Sequence, residues 1–313
     1  MSKRKNNVSP GQLKHLFCVE INSRKSFDSN GNNPIKGKPP RPPKGEMDPM
    51  YRSASTCKVY TQTCKEFAAW VKKVDPKVKT PEDCRRYVGE YLEYRVEKGY
   101  SPYTLHKDAC ALGKFYKCPS KEFGVELPRT SDHEVTRSRN PVEHDRHFSE
   151  ERNAELVGFA RGTGLRRSEL CALRRDDFCY GDKLPHSDVV PKCYSRDPET
   201  LYVHVISGKG GRERFVSVRE EYKELVAGRM DGSHEKVFMR IHSAADIHSY
   251  RSEYARAVYA EHARDTNGLI KKDVYFCRGK HKGERYDKLA LSYTSQALGH
   301  NRLSVAVNSY IRR

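Results

Sequence analysis

The stretch TGLRRSELCALRRDDF, residues 163–178, decides how the second half of this chain is read. Gly164 makes a turn, Arg166 follows it, and a helix runs on from Ser168 with Glu169 in its first turn. A glycine turn feeding a helix start can aim an arginine and unsatisfied backbone N–H groups at an anion. Taken alone the pattern is common, because arginine and glutamate occupy many helix starts. Its meaning rests on what the chain supplies on either side.

The charge balance says what kind of anion to expect. The chain has 59 Lys plus Arg against 41 Asp plus Glu, a net charge of +18, and a pI near 9.4. A cationic surplus of that size points to a polyanion, most simply nucleic acid, since Lys and Arg displace condensed counterions from phosphates. An anionic membrane would suit the charge equally well. No apolar run approaches the roughly 18 residues of a membrane span, and no secretory segment is visible. The expectation is a soluble, intracellular protein.

Ten cysteines are present, but none forms a C-x-x-C knuckle. Tetrahedral zinc sites draw paired ligands from such knuckles, so no metal is expected. Cys64, Cys110 and Cys171 fall inside helical patterns beside apolar neighbours and read as reduced core thiols.

Composition divides the chain into four stretches. Residues 1–50 hold ten Lys/Arg against four Asp/Glu, and GNNPIKGKPPRPPKG (31–45) has five prolines and three glycines. That makes them a flexible basic tail, either solvated or lying along phosphates, with HLFCVEI (15–21) as one short strand at most. Residues 51–118 turn helical. STCKVYTQTCKEFAAWVKKV (55–74) spaces Val59, Phe67, Ala68, Trp70 and Val71 at roughly helical period and stops at Asp75-Pro76. TPEDCRRYVGEYLEYRVEKGY (80–100) opens on Thr80 and Pro81 and closes at Lys98-Gly99; SPYTLHKDACALGKFYKC (101–118) repeats the Ser-Pro start. A small bundle follows, whose Lys58, Lys65, Lys72, Arg85, Lys107 and Lys114 are candidates to face a duplex. Residues 119–147 lose periodicity and read as an interdomain linker. A second domain, 148–313, begins at FSEERNAELVGFARGTG. Its sheet signal is LYVHVI and FVSV around a Gly-rich turn (201–218), and VYFCRGKHKGERY (274–286) reads as a strand with a basic turn. The fold class is therefore mainly α with a small β-sheet, an α+β arrangement.

Three further motifs stand in order after the first. ISGKGGRERFVSV (206–218) puts Lys209 at the tip of a hairpin, where a lysine is usually just solvated. IHSYRSEYA (247–255) places His248 and Arg251 at i and i+3 of a helix, a proton acceptor beside a phosphate clamp if they face a pocket. LGHNRLSVAVNSYIRR (298–313) brings His300 and then Tyr310 on a helix-like stretch.

The ordered set Arg–Lys–His-x-x-Arg–His–Tyr resembles the catalytic domain of the tyrosine recombinases, the phage and conjugative-transposon integrases. The resemblance covers roughly 149–313, with weaker support for a helical core-binding domain at 51–118. It implies a site-specific recombinase that cuts and rejoins DNA through a 3′-phosphotyrosyl intermediate, for integration or excision of a mobile element. Tyr310 would be the nucleophile, with Arg166 and Arg251 clamping the phosphate. Lys209 would be the general acid, His248 the base or proton relay, and His300 a hydrogen-bond donor to the phosphate. Glu169 matches an acidic position that orients the neighbouring Arg and His. The resemblance also implies double-stranded DNA core sites as partner, a homotetramer on synapsed DNA, accessory excision or DNA-bending proteins, and a bacterial cytoplasmic, nucleoid-associated setting.

The residue types suit that chemistry. A tyrosine ordinarily titrates near 10, so attack near neutral pH needs a proton acceptor and nearby cations. The departing alkoxide needs an acid. The bond energy stays in the phosphotyrosine, so no cofactor, ATP or metal is expected.

Some features depart from the family pattern. Arg251 and His300 lie 49 positions apart (251 to 300), a spacing longer than that of compact members, with 274–286 as the expected insertion. Lys192 and Arg212 compete with Lys209 for the acid's role. Only Ile311, Arg312 and Arg313 follow Tyr310, so subunit coupling would differ from that of relatives with a longer C-terminal segment. Two other functions stay open: a non-catalytic recombinase-like DNA-binding regulator, and relaxation of DNA by a type IB topoisomerase-like route.

Overall fold

A computed structural model describes residues 8–27, 39–43, 45–130, 147–208, 211–230, 235–278, 281–300 and 302–312. The chain divides into two units, Met1–Arg137 and Ser138–Arg313. It is mainly α with two small antiparallel sheets. Among the described residues no helix is long and apolar enough to cross a membrane.

The first unit corrects the reading of residues 1–50 as a flexible tail. Pro10–Ser23 is a helix, α1, where HLFCVEI had read as a strand. Ser9 and Gln12 form a reciprocal capping box at its start, and Pro10 occupies the first turn, where its missing N–H costs nothing. Leu13, Phe17 and Ile21, spaced at i, i+4 and i+8, are fully buried. Each such side chain contributes about 1.5–3 kcal/mol. The Pro-rich stretch that dominated the composition falls largely outside the described residues, and it masked an amphipathic helix beside it.

Ala54–Val74 (α2) packs on α1, with Phe17 edge-on to Phe67 at 6.1 Å between ring centroids. Of its expected apolar face, Phe67, Ala68 and Val71 are buried, whereas Val59 is exposed. The single helix expected over 80–100 is broken. Pro81–Cys84 (α3) gives way to a tighter turn at Arg85–Tyr87 before Val88–Glu97 (α4). Pro102–Tyr116 (α5) closes the unit's core. Asp108, fully buried on α5, accepts from Thr63 at 2.8 Å and from Arg95 at 2.8 Å, which answers the desolvation of both charges. Cys64 lies in this core, but Cys110 and Cys171 are exposed rather than core thiols.

In the second unit, Ala154–Thr163 (α6) ends at Gly164, whose φ of +58° makes the left-handed turn. A Cβ there would sit 2.3 Å from the ring of Tyr254, so glycine is required twice over. Arg167–Ala172 (α7) follows directly. The three-stranded sheet is antiparallel in the order Phe178–Tyr180 (β1), Leu201–Val205 (β2), Arg214–Ser217 (β3); β1 escaped the sequence reading because it is only three residues long. Lys223–Ala227 (α8) and Ile247–His262 (α9) both pack against α6, and Asp246 caps α9 through Ser249 N at 3.1 Å. Where one strand is expected, two pair antiparallel, Val274–Phe276 (β4) and Arg285–Asp287 (β5). Lys288–Ala297 (α10), capped by the buried Asp287, leads to Leu303–Ala306 (α11).

Candidate active site

Tyr310 lies in the turn Val307–Ile311, where the backbone after α11 widens to π-helical spacing. Such turns are rare and recur at functional sites, because the extra residue re-aims a side chain that regular helix would point elsewhere. Tyr310 is 6% exposed, its ring built into the main core of the unit. Its hydroxyl lies 3.4 Å from Nε of Arg251 and 3.3 Å from Nε2 of His300. The ring of His248 stacks on the Tyr310 ring at 5.1 Å with 16° between planes.

Arg251 is buried on α9. One terminal nitrogen donates to the Gly164 carbonyl and the other to the Leu298 carbonyl. Burial above all, and then the charge of Arg166, lower its pKa to about 10, which still leaves it cationic at neutral pH. Arg166, at the start of α7, donates through Nη1 to Glu169 Oε1 at 2.7 Å and through Nη2 to the Leu298 carbonyl at 2.9 Å. The loop after α10 is thus a hub. Gly299, with φ +64°, turns the chain there so that Leu298 faces both arginines and His300 faces Tyr310.

Glu169 holds a second cation that the sequence reading passed over. Arg214, at the start of β3, donates to both Glu169 oxygens at 3.0 and 2.8 Å, and its Nε donates to the Ala297 carbonyl at 2.9 Å. Burial pushes the Glu169 carboxyl up, but the hydrogen bonds and charge of Arg214, then of Arg166, outweigh it and leave the pKa at about 2. An acidic side chain turned inward from a helix start needs a buried cation. Nothing in the spacing of SGKGGRER singled out Arg214 over its basic neighbours, because only strand register decides which of them points inward.

The structure brings Arg166, Glu169, His248, Arg251, His300 and Tyr310 together. Lys209 lies outside the described residues. Both histidines lie against Tyr310. Nε2 of His300 lies within hydrogen-bonding reach of the Tyr310 hydroxyl, whereas His248 is exposed and stacks its ring face on the Tyr310 ring. The helical i, i+3 spacing put His248 beside Arg251 correctly but could not say which one the core would cover. Among the described residues no cluster of three or more His, Cys, Asp or Glu side chains could hold a metal.

The basic residues of the first unit divide into two groups. Lys58 and Arg85 are exposed and Lys65 is half-buried. Lys72 is corrected: it is buried, and its ammonium donates to the Pro76 and Val78 carbonyls at 2.7 and 2.6 Å, closing the end of α2. Lys114 is likewise tied inward to the Asp48 carbonyl at 2.7 Å, and its half-buried position lowers its pKa. Lys107 pairs with Asp108 at 3.1 Å. Helical period marks which residues are basic, not which of them the chain itself uses.

No protein-family profile matches the chain, and no curated protein matches it. Solved structures similar to it include the following two. One, the XerA recombinase, is 18% identical across 83% of this chain and 87% of that one, with a TM-score of 0.27. The other is the Tn1549 transposon integrase (residues 82–397) in complex with circular intermediate DNA. It is 14% identical across 95% of this chain and 94% of that one, with a TM-score of 0.38. Both superpose loosely on this chain.

Proposed function

We propose that the chain is a tyrosine recombinase, a DNA strand transferase that breaks and rejoins the phosphodiester backbone through Tyr310. The observation that carries this reading is the placement of the Tyr310 hydroxyl between Nε of the buried, cationic Arg251 and Nε2 of His300. A tyrosine serving only as core would not need a charged guanidinium and an imidazole at its hydroxyl.

In the proposed reaction the Tyr310 oxygen attacks the scissile phosphorus as His300 takes the phenolic proton. The bond from phosphorus to the 5′-oxygen breaks, leaving a 3′-phosphotyrosyl link and, with a proton from a general acid, a free 5′-hydroxyl. Lys209 is the proposed acid, and no metal or cofactor is required. Arg166 and Arg251 neutralise the charge that grows on the non-bridging oxygens, and Glu169 with Arg214 keeps Arg166 oriented. His248, stacked on the nucleophile's ring, holds the ring plane. Rejoining runs the same steps backwards with a new 5′-hydroxyl. The partners in this reading are double-stranded DNA core sites bound by a homotetramer, with accessory DNA-bending or excision proteins, in a bacterial cytoplasm. The role is integration or excision of a mobile element.

The test is covalent trapping on nicked core-site duplexes in EDTA, drawn from a library of element-end sequences. A DNA-linked band on a denaturing gel, absent for Tyr310→Phe, is the expected result. Tight binding without any adduct would instead favour a non-catalytic DNA-binding regulator. Relaxation of a plasmid lacking any recombination site would favour a topoisomerase-like activity.

A further inference from the structure

Along the sequence the β4–β5 hairpin lies in the interval between Arg251 and His300. In the fold it has a task. Glu284, immediately before β5, receives Nε of Arg312 at 2.7 Å on Oε2 and pairs with Nη2 of Arg312 at 2.5 Å through Oε1. The same carboxylate accepts from the Tyr286 hydroxyl at 3.0 Å and lies 3.0 Å from Nδ1 of His281. Below this polar layer, Cys277 of the hairpin packs with the fully buried Leu291 and Val307, and Ile311 joins the same cluster. The nucleophile's neighbours in sequence, Val307 three before it, Ile311 one after and Arg312 two after, are therefore all held by the hairpin or its cluster. Tyr310 itself points the other way, into the main core.

We infer that the β4–β5 hairpin is a clamp for the turn that carries Tyr310, with Glu284 as the positioning residue that acts through Arg312. This inference rests on the strand-transfer reading for its chemical consequence, though not for the clamp itself. A π-helical turn is one hydrogen-bond step from regular α-helix, and that step would rotate Tyr310 away from Arg251 and His300. An exposed single ion pair adds little to stability, but here the ion pair is backed by a charge-assisted hydrogen bond from Nε of Arg312 to a carboxylate that also accepts from Tyr286, which fixes its orientation. This link closes two residues beyond the nucleophile, where it opposes that rotation. The clamp and the pocket belong to one chain, so the clamp presents Tyr310 to the chain's own arginines.

The experiment pairs Glu284→Gln with Arg312→Lys, which keeps the charge but loses the Nε hydrogen bond to Glu284. Three quantities are compared with wild type: amide hydrogen exchange over 303–312, the single-turnover rate of DNA–protein adduct formation on a nicked duplex, and affinity for that duplex. The expected result is faster exchange over the Tyr310 turn and an adduct rate lower by about ten- to a hundredfold, the cost of a small misplacement of a reacting group. Duplex affinity should be unchanged. Unchanged exchange in both variants overturns the clamp, and so does faster exchange with an undiminished adduct rate. A loss of affinity matching the loss of rate also overturns it, marking a direct role in holding DNA instead. If wild type forms no adduct on any duplex, the strand-transfer reading fails by itself, and exchange alone then upholds or overturns the clamp.

Discussion

Arg166 and Arg251, from the start of α7 and the body of α9, donate to the same acceptor, the carbonyl oxygen of Leu298. Two guanidinium groups converging on one oxygen repel each other, and the arrangement holds because Glu169 neutralises one of them and a backbone dipole lies between both. The pocket is thus positive and preorganised, with its repulsion balanced from behind rather than from the side that faces Tyr310.

Removing the balancing charge should therefore be costly. Glu169→Gln leaves Arg214 and Arg166 without a buried counter-ion, and a loss of about 3–5 kcal/mol is expected. Denaturant unfolding at neutral pH measures it, and a change below about 1 kcal/mol would contradict the buried-triad account.

The same carboxylate sets an acid limb. Its folded pKa of about 2 lies below the ordinary value of 4.5, so the folded state holds its proton less tightly than the unfolded chain does. The stabilisation is complete above 4.5 and is lost as pH falls from 4.5 towards 2. Wild type should lose stability across that window more steeply than Glu169→Gln; parallel curves would show that other carboxylates govern acid unfolding.

Gly164→Ala combines a left-handed backbone with a clash against the buried Tyr254, and it moves the carbonyl that holds Arg251. The expected cost is about 2–5 kcal/mol, summed from the strained φ and the overpacked core. Thermal unfolding checks it. Tyr310→Phe, by contrast, forfeits only long hydrogen bonds and should cost no more than about 1.5 kcal/mol.

If the turn is held in its own chain, mixing two inactive variants should restore nothing. Tyr310→Phe supplies the arginines and Arg251→Ala supplies the tyrosine, and an equimolar mixture on nicked duplex should give no adduct. An adduct from the mixture would mean that Tyr310 reaches a neighbouring subunit's pocket.

In the first unit, Lys58→Ala should weaken duplex binding and reduce the slope of log affinity against log salt by about 0.9 for each phosphate that is no longer neutralised. Lys72→Met should leave that slope alone and lower stability by about 1–3 kcal/mol, since it orphans the Pro76 and Val78 carbonyls. Salt titrations of both variants separate the two kinds of lysine.

Read along the line of residues, the chain already declares its charge, most of its helices, and six side chains that the fold brings near one another. Those features are local or additive. Capping residues such as Thr80 and Ser101 act within one turn, apolar period is a property of a single helix, and an ordered set of motifs can be read in one dimension. That residues 10–23 are core rather than tail emerged from the packed molecule alone, since their apolar stripe of Leu13, Phe17 and Ile21 is buried only when α2 covers it. The same holds for Arg214 neutralising Glu169, for His300 reaching the Tyr310 hydroxyl, and for Lys72 and Lys114 facing inward. Each of these depends on which side of an element another element buries. That is settled by packing between segments tens of residues apart, and no spacing along the chain encodes it.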